Sequence, residues 1–506
     1  MDEAGLKEKI SRIIVPVSLL LPVLLMTANP VYDELWSLIY FTDLPVLKIL
    51  TDLALPNNHP LNTFSLKILS LFSLNTVFLR LPSLICGAFI PLLCGKLAYR
   101  WSRSNHLGAM IAAAVLAMFS IPLAVYSGLA RGYAMQLFFL LLCLSAMSTA
   151  KENPKRSAVL TAIGGIGTIL CVPTGALFLL PAGIGFLIYS GKEVRRDYRM
   201  WIAAGIIALI GGIFYAVNFS ALRSAQAWGV EIDSVGAYGD FLRLIFFSLL
   251  MIPALLATLP AWREPKRLWA LGLLTVPLLL ALASNGGPAR TYLYLSAAVA
   301  IAGGIGIGEI AGKWPGKQLW ISGMAALILA VPGIFLQLDS WRILDYTEIF
   351  EKLCHSCPAE VLPVYRASAG FPMANALPEA LASYNSMVSS GNFRQIAFFE
   401  AGQGEFNGLD ANQSEAVIVT DCRGEEAEVD GLPCVIYDLT EVDSVEAGKC
   451  YLLIVPRQDR ALETFDRYGE VLYLNVWFTS GVNLIVLRCE TPAELPWRVK
   501  IYRIGE

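Results

Sequence analysis

Two adjacent carboxylates are the first residues of this chain whose type and position could support chemistry. Asp33 and Glu34 follow the first long apolar block. A carboxylate within hydrogen-bond reach of a hydroxyl group can take its proton, so the pair could supply a general base. Acids at the start of a helix also stabilise its dipole, which leaves a solvated cap as the alternative. His59, in the His59-Pro60 step of the same loop, adds an imidazole, although a proline in the first turn of a helix would explain this step without function.

Two arginines lie in short turns between apolar blocks. These are Arg131 and Arg290, with Tyr292 two residues after the second. A cation at membrane depth needs an anionic partner, and the guanidinium fork fits phosphate oxygens. We therefore expect both arginines to hold a phosphate, with snorkelling towards the lipid headgroups as the alternative. Acidic and aromatic side chains that could bind a sugar or an acceptor are Trp228, Asp233 and Asp240, in a later loop.

Long apolar helices must position these residues. Hydrophobic residues make up 56% of the 506-residue chain and charged residues 16%, a balance that excludes an ordinary soluble protein. The apolar blocks contain about 16 to 22 residues, enough to cross a bilayer core of roughly 30 Å. We therefore predict a polytopic α-helical membrane protein with about eleven transmembrane helices. The blocks cover residues 13–28, 81–99, 107–126, 132–149, 157–171, 173–190, 200–218, 241–259, 268–284, 291–311 and 318–337.

Basic residues sort the connections between these blocks into two sides. With a cytoplasmic N-terminus, 18 of the Lys and Arg residues before residue 339 fall inside and seven fall outside. The positive-inside rule favours this orientation, and an odd number of spans then places the C-terminus outside the cytoplasm. We expect a multi-pass protein of the plasma (inner) membrane.

Residues 339–506 differ in character from residues 1–338. They carry 26 acidic and 13 basic residues, which gives about −13 against about +10 for the preceding part. Short β-type runs at 416–420, 434–437, 450–455, 471–474 and 482–488 alternate with polar or helical stretches such as 460–468. This pattern predicts a soluble, extracytoplasmic α/β domain at 339–506, after a transmembrane domain at 1–338.

The first outer loop, residues 29–82, contains two amphipathic runs at 34–55 and 61–79. Polar residues such as Asp43, Lys48 and Lys67 interrupt their apolar sequence. Helices of this kind lie in the interface plane with one face in the acyl boundary. We therefore expect both runs to lie flat on the outer leaflet.

Cysteine usage agrees with this arrangement. Cysteines in apolar blocks are expected to be inert packing residues, whereas those after residue 338 would face an oxidising compartment. Cys422 and Cys434, around a polar loop, form the favoured pair. Cys354 and Cys357 favour a structural bridge over a redox or metal site, because a zinc site needs a fourth ligand. The four cysteines in apolar blocks are Cys86, Cys94, Cys143 and Cys171.

The order of these features resembles the polytopic C-type (GT-C fold) glycosyltransferases, which use polyprenyl-phosphate sugars. This group includes protein O-mannosyltransferases and the aminoarabinose transferases of lipid A. The resemblance covers about the first 340 residues. Its matching pieces are Asp33-Glu34, the Asn-His-Pro-Leu run at 58–61, Phe-Leu-Arg-Leu-Pro-Ser at 78–83, Ala-Arg-Gly-Tyr-Ala at 130–134 and Arg-Thr-Tyr-Leu at 290–293.

The resemblance implies a role for each candidate. Asp33 would be the general base for the acceptor hydroxyl, and Glu34 would assist it or bind the acceptor. Arg131 and Arg290 would hold the lipid phosphate, which is the leaving group, and attack opposite the phosphate would invert the anomeric carbon. The implied partners are a polyprenyl-phosphate-linked sugar donor, membrane lipids and a glycan, lipid or protein acceptor, with no nucleic acid. His59, Lys67 and Tyr292 are counted with the arginines as donor-binding residues.

Three other functions remain open at this stage. A transporter or flippase of lipid-linked glycans would be expected to carry more charge within its spans and broken helices in corresponding halves. A ligase of the same fold would use a lipid-linked oligosaccharide, and a scaffold would rely on the acidic tail. No cofactor is firmly implied. Asp33, Glu34 and His59 could form part of a divalent-metal site, but we expect no tightly held ion. Glycine pairs such as Gly303-Gly304 lie inside spans, where they predict close helix packing rather than a nucleotide site.

Overall fold

The computed structural model describes residues 3–26, 34, 37–42, 44–51, 53, 58–73, 75–103, 107–225 and 293–337, together with nine strands between 362 and 504. Helices and strands are numbered below within these residues only. The chain divides into two compact units. The first contains Met1–Met26, Leu44–Ser70 and Leu79–Trp341, and the second contains Thr27–Asp43, Leu71–Phe78 and Arg342–Glu506.

The first predicted span, 13–28, is broken in the structure. Helix α1 covers Glu3–Val17 and α2 covers Leu20–Leu25, with a turn at Ser18 between them. Pro22 explains the break, because its ring excludes the carbonyl group of residue 18 from a helical position and it has no N–H to donate. At the break, the Ser18 hydroxyl group donates to the Ile14 carbonyl group at 2.6 Å. The expectation of one continuous helix here was wrong.

The first outer loop contains a π-helix at Ser37–Phe41 and two short α-helices, α3 at Val46–Thr51 and α4 at Pro60–Ser70. Helix α4 begins at Pro60, as the sequence predicted. It ends at Ser70, however, so the run 61–79 is not one helix. Helix α5 then begins at Thr76, earlier than the predicted 81, because the Asn75 side chain accepts hydrogen bonds from the amides of Val77 (3.0 Å) and Phe78 (3.3 Å) and so caps the helix.

The helices that follow form an apolar bundle. They are α5 (Thr76–Trp101), α6 (Leu107–Met118), α7 (Ile121–Ser127), α8 (Gly132–Ser148), α9 (Pro154–Cys171), α10 (Ala176–Tyr189), α11 (Lys192–Arg196), α12 (Tyr198–Ala225), α13 (Tyr294–Ala311) and α14 (Gln318–Gln337), with 3-10 turns at Pro173–Gly175 and Pro315–Lys317. Helix α9 packs along α8 and α12, while α13 and α14 pack on α6.

The predicted span 107–126 is also bent. Helices α6 and α7 meet at an angle of 65°, with Ser120 in an extended conformation between them. Pro122 lies in the first turn of α7, where it cannot donate a hydrogen bond back to α6. Among the described residues, three helices are long and apolar enough to cross a membrane, or four if this bent pair counts as one span. The blocks 241–259 and 268–284 lie outside the described residues, so the total of about eleven spans stays a prediction.

Glycines on α13 permit close packing against α6. An added Cβ at Gly304 would lie 2.5 Å from the backbone nitrogen of Ala113, and one at Gly308 would lie 2.6 Å from that of Ala109. The two glycines are four residues apart and therefore share one face of α13, the small-residue arrangement that brings membrane helices into contact. The predicted packing role of Gly303-Gly304 is thus confirmed for Gly304.

One end of the bundle gathers connections that the charge pattern assigned to the cytoplasmic side. The guanidinium group of Arg100, at the end of α5, donates to both carboxylate oxygens of Glu152 at 2.6 and 2.9 Å. Lys151 in the same loop pairs with Glu193 on α11 at 3.4 Å. The Arg103 amide donates to Glu309, on α13, at 2.7 Å. These contacts place the connections at a common end, and the side of the membrane that this end faces stays a prediction.

The C-terminal region contains two sheets. The first has the order β1 (Leu362–Val364), β2 (Ala416–Thr420), β4 (Leu432–Asp438) and β3 (Glu426–Val429), with β3 antiparallel and the others parallel. The second is antiparallel, with the order β5 (Glu441–Val445), β9 (Ala493–Ile504), β6 (Cys450–Pro456), β8 (Val482–Cys489) and β7 (Gly469–Trp477). The five predicted β-type runs are strands. The helical stretch 460–468 lies outside the described residues, so the α/β character of the domain stays a prediction.

The four helical cysteines are unpaired, as predicted. Cys94, Cys143 and Cys171 are buried, and Cys86 is half-buried. Cys354, Cys357 and Cys422 lie outside the described residues, so the predicted bridges in the C-terminal region stay predictions.

Candidate phosphate site

A cluster of buried polar side chains lies at the end of the bundle opposite the Arg100–Glu152 pair. Its members come from the α3–α4 connection, α4, the N-terminal part of α5, the end of α7 and the turn between α7 and α8. Such a group is costly in an apolar bundle unless its members bind each other or a ligand. The cluster consists of Asn58, His59, Asn62, Thr63, Arg80, Ser83, Ser127 and Arg131, each at most 3% exposed.

Side-chain amides hold the chain before His59. The Asn58 amide group donates to the carbonyl group of Ile49 at 2.9 Å, and its oxygen accepts from the Thr63 hydroxyl group at 3.0 Å. The Asn218 amide group, on α12, donates to the Leu50 carbonyl group at 3.0 Å. Two carbonyl groups in the last turn of α3 therefore receive side-chain donors, which fixes the end of α3 and with it the position of His59.

The turn that carries Arg131 is fixed by hydrogen bonds from two helices. The Asn62 amide group on α4 donates to the Ala130 carbonyl group at 3.0 Å, and the Ser83 hydroxyl group on α5 donates to the Arg131 carbonyl group at 3.0 Å. Arg131 itself is extended (φ −128°, ψ 148°) and precedes the first residue of α8, Gly132. The backbone of Arg131 is therefore held by side chains distant in sequence.

Gly132 lets three segments meet at this point. A Cβ here would lie 2.6 Å from the Cys171 carbonyl oxygen, at the end of α9, and 2.9 Å from the Cβ of His59. Because the first of these neighbours is backbone, it cannot move aside as a flexible side chain could. Glycine is thus the residue that allows the α3–α4 connection, the start of α8 and the end of α9 to touch.

The aromatic ring of Tyr133 forms the centre of the cluster. The His59 ring meets it edge-on at 4.9 Å between centroids, and the Tyr126 ring does so at 5.3 Å. The guanidinium carbon of Arg131 lies 5.9 Å from the Tyr133 centroid, within the range of a cation–π interaction. His59 and Arg131, 72 positions apart in the sequence, therefore lie beside the same ring, while their part in binding a phosphate stays a prediction.

Two guanidinium groups are buried in this part of the structure. Arg131 is 1% exposed and Arg80 is 0% exposed. Arginine keeps its charge in proteins, so both side chains bring a positive charge into a site from which water is largely excluded. The sequence indicated Arg80 as one of the outer-side cations and as part of the run 78–83 that matches the GT-C pattern, but it gave this residue no role in the site. Arg80 lies three residues before Ser83 and therefore on the same face of α5. This spacing could have indicated that Arg80 is a candidate site residue.

The structure describes two of the other predicted site residues, Glu34 and Lys67. Glu34 is buried, at 1% exposed, which does not fit a solvated cap. Lys67 is half-buried and lies about two turns along α4 from His59, beyond the contacts described above. No group of three or more possible metal ligands occurs among the described residues. The predicted site residues that lie outside the described part of the chain are Asp33, Trp228, Asp233, Asp240, Arg290 and Tyr292.

An apolar cavity of about 520 Å³ lies between α8, α9, α10 and α12. Its lining runs along α12 from Met200 and Trp201, near the start of this helix, to Tyr215. The Tyr215 hydroxyl group donates to the carbonyl group of Pro173, two residues after Cys171. The cavity therefore extends from the end of the bundle that holds the Arg100–Glu152 pair towards the segment that touches Gly132.

Comparison with known proteins gives similarities at the level of structure. No protein-family model and no curated protein matches the chain. ArnT from Cupriavidus metallidurans in the apo state is 13% identical with a TM-score of 0.44, over 73% of this chain and 84% of that one. The same protein bound to undecaprenyl phosphate is 11% identical with a TM-score of 0.41, over 96% and 98%.

The apo oligosaccharyltransferase of Archaeoglobus fulgidus is 11% identical with a TM-score of 0.45, over 75% of this chain and 64% of that one. The chain thus spans less than two thirds of that enzyme. ArnT and the oligosaccharyltransferase are GT-C fold enzymes, the class that the sequence motifs resemble. Since identities are 11–13% and TM-scores are below 0.5, the assignment of residues and chemistry depends on the site itself.

Proposed function

We propose that this membrane protein is an inverting glycosyltransferase that moves a sugar from a polyprenyl-phosphate carrier to an acceptor at the outer face of the membrane. One observation carries the proposal: Arg131, a buried guanidinium group, lies at the start of α8 and shares the Tyr133 ring with His59. The proposal extends to acceptors of glycan, lipid or protein type.

Three features of the Arg131 turn favour a phosphate as its ligand. The guanidinium fork can donate two parallel hydrogen bonds to phosphate oxygens. Helix α8 has 17 residues and its first residue follows Arg131, whose own side chain does not cap the helix amides. The amides and dipole of such a terminus favour an anion. His59, beside the same Tyr133 ring, would add a further donor.

The apolar cavity supports a lipid as the molecule that carries this phosphate. Its lining is almost entirely hydrocarbon, with residues such as Leu180, Phe186, Ala204 and Ile207. The part of the cavity lined by Tyr215 lies beside Pro173, next to the segment that contacts Gly132. An isoprenoid chain in the cavity would bury apolar surface while its phosphate lay beside Arg131.

The proposed reaction assigns the remaining chemistry to residues of the first and later outer loops. Asp33 takes the proton of the acceptor hydroxyl group, and Glu34 assists it or binds the acceptor. The acceptor oxygen forms a bond to the anomeric carbon as the bond from that carbon to the phosphate oxygen breaks, so that configuration inverts. The electron pair leaves on polyprenyl phosphate, which Arg131 and Arg290 stabilise.

The other predicted residues complete the proposed site. Lys67 and Tyr292 belong to the donor-binding group, and Trp228, Asp233 and Asp240 contact the sugar or the acceptor. The N-terminus is proposed to be cytoplasmic, and the domain at 339–506 to be extracytoplasmic.

Native mass spectrometry of the gently purified protein tests the phosphate site. Polyprenyl-phosphate sugars are added one at a time to wild type, to Arg131→Ala and to the control Arg100→Ala, whose arginine lies at the opposite end of the bundle. We expect saturable binding to wild type and to Arg100→Ala. Arg131→Ala should bind at least about tenfold more weakly, because charge-assisted hydrogen bonds contribute about 1.5–3 kcal/mol. Equal affinity in all three proteins would contradict the phosphate-site assignment.

A second assay separates an enzyme from a flippase. Asp33→Asn removes the base but keeps its shape, so it should abolish sugar transfer while donor binding stays within about twofold of wild type. A flippase would move the lipid without breaking its sugar–phosphate bond. Sugar transfer by Asp33→Asn at the rate of the wild-type protein would contradict the assignment of Asp33 as the base. If the wild-type protein moved the lipid across the membrane and the donor was recovered intact, the flippase would be favoured.

A further inference from the structure

Arg80 is the most deeply buried cation among the described residues, at 0% exposed. The proposed function assigns it no role, although it lies on the same helix as Ser83, whose hydroxyl group holds the Arg131 carbonyl group at 3.0 Å. Residues three apart on a helix share one face, with Cβ atoms about 5–6 Å apart. Arg80 and Arg131 therefore extend from neighbouring points of one buried cluster.

Side-chain direction narrows the location of the Arg80 guanidinium group. Long side chains on a helix point back towards its N-terminus, and Arg80 is the fifth residue of α5, which begins at Thr76. The group therefore extends towards the end of the bundle that also holds the start of α8. Two guanidinium groups at this end can address one phosphate group from different sides.

We propose that Arg80 is a further phosphate-binding residue beside Arg131 and Arg290, which stabilises the extra negative charge that forms on the lipid phosphate as the sugar departs. This inference rests on the proposed function. The donor is a phosphodiester with a single negative charge. When the bond from the anomeric carbon to the phosphate oxygen breaks, its electron pair stays on that oxygen, and the product is a monoester of about −1.5 to −2 at neutral pH.

Charge balance gives Arg80 a role that differs from donor binding. The proposed function already places Arg131 and Arg290 at the phosphate, so a donor with a single negative charge gains little from a third guanidinium group, whereas the leaving group of about −1.5 to −2 gains more from it. An interaction that strengthens between the bound donor and the transition state accelerates the reaction, while one of equal strength in both affects binding alone. Arg80 accordingly acts on turnover and on affinity for the product more than on affinity for the donor.

A purely structural role for Arg80 makes a different prediction. If its guanidinium group served to pair with a carboxylate of the chain and to hold α5 against the Arg131 turn, its loss would disturb the site for every ligand alike. Ser83→Ala reproduces that kind of disturbance, because it removes the hydrogen bond to the Arg131 carbonyl group and leaves both cations in place.

Two probes that differ by one charge test the inference. Polyprenyl phosphate is a dianion at pH 8, since its second pKa is about 6, and its methyl ester remains a monoanion. Affinities of both are measured by native mass spectrometry for wild type, Arg80→Met, Arg80→Lys and Ser83→Ala. Turnover is measured with a polyprenyl-phosphate sugar, and thermal unfolding in the same detergent reports folding.

The inference predicts a selective loss. Arg80→Met should bind polyprenyl phosphate about ten- to a hundredfold more weakly than wild type and bind the methyl ester within about threefold, with kcat reduced more than KM is raised. Arg80→Lys should lose less, because it keeps the charge but not the fork. If Arg80→Met does not fold, the monoester-to-diester affinity ratio of Arg80→Lys decides, and a ratio equal to that of wild type overturns the inference.

Other outcomes overturn the inference as well. Equal weakening of both probes by Arg80→Met, matching Ser83→Ala, would assign Arg80 a structural role. Undiminished binding of both probes would remove it from the site. If wild type bound neither probe, the proposed function itself would fail, and this result is distinct from the preceding ones.

Discussion

Replacing Gly132 by alanine tests the close approach on which the whole candidate site depends. The new methyl group would lie 2.6 Å from the Cys171 carbonyl oxygen and 2.9 Å from the Cβ of His59. Both distances are well inside ordinary van der Waals contact of about 3.5–4.0 Å. Since the carbonyl group belongs to the end of α9, relief requires α8 or the His59 segment to move.

The expected cost follows from the size of this overlap. Inserting a methylene group into a packed core costs about 1–3 kcal/mol. The control is Gly205→Ala on α12, where no described atom lies within 4 Å of the added Cβ. There alanine should stabilise the helix by about 0.5–1 kcal/mol. The two variants should therefore differ by about 1.5–4 kcal/mol.

The assay combines unfolding with ligand binding. Unfolding free energies of wild type, Gly132→Ala and Gly205→Ala are compared by denaturant titration in one detergent, and polyprenyl phosphate affinity is measured by native mass spectrometry. We expect Gly132→Ala to be less stable and to bind at least about tenfold more weakly, because His59 and Arg131 would both be displaced. A Gly132→Ala protein with the stability and affinity of the control would refute the contact between these segments.

Three further predictions concern other parts of the bundle. The hydrogen bond from Arg100 lowers the pKa of Glu152, so the contribution of this pair to stability is complete at neutral pH and is lost as pH falls through the lowered pKa. Arg100→Gln should therefore cost at most about 1 kcal/mol near neutral pH and nothing in strongly acidic buffer; a larger cost at acidic pH would contradict this. Asn218→Ala removes the donor to the last turn of α3 and should lower the unfolding free energy by about 1 kcal/mol, and unchanged thermal stability would show that this contact is dispensable. A membrane-permeant maleimide should modify half-buried Cys86 before buried Cys94 in the folded protein, as followed by peptide mass spectrometry, and the reverse order would contradict the described burial.

The elements that the sequence predicted well are those set by local chemistry. Proline in the first turn predicted the start of α4 at Pro60. The β-branched and apolar run at 416–420 predicted a strand, which the structure places at Ala416–Thr420. In both cases, the preference of a few neighbouring residues decides the local conformation.

Breaks and long-range contacts were harder to predict. The apolar runs at 13–28 and 107–126 are long enough to span a membrane, yet Pro22 and Pro122 interrupt them. Proline lacks the amide donor that a continuous helix needs, and hydropathy does not register this loss. The role proposed for Arg80 was inferred from the hydrogen bond between Ser83 and Arg131, residues 48 positions apart. Local pattern carries no information about such a contact. The motif order nevertheless indicated both His59 and Arg131, and the structure brings them together at Tyr133.

The bend between α6 and α7 shortens the distance that this segment covers along the α6 axis, which has a consequence for the depth of the candidate site. The 12 residues of α6 rise about 18 Å. The seven residues of α7, inclined at 65° to it, add only about 4 Å along the same direction. If α6 began at one boundary of a hydrocarbon core about 30 Å thick, the two helices alone would end about 8 Å short of the other boundary.

The helix that returns from Arg131 agrees with this depth, because the 17 residues of α8 span about 26 Å. The site would therefore lie beneath the level of the lipid headgroups, where bulk water is scarce. A carrier lipid would draw its phosphate inwards to reach Arg131, and its activated sugar would meet few water molecules there. Such a recess would protect the donor from hydrolysis and reserve the sugar for an acceptor that enters the same depression.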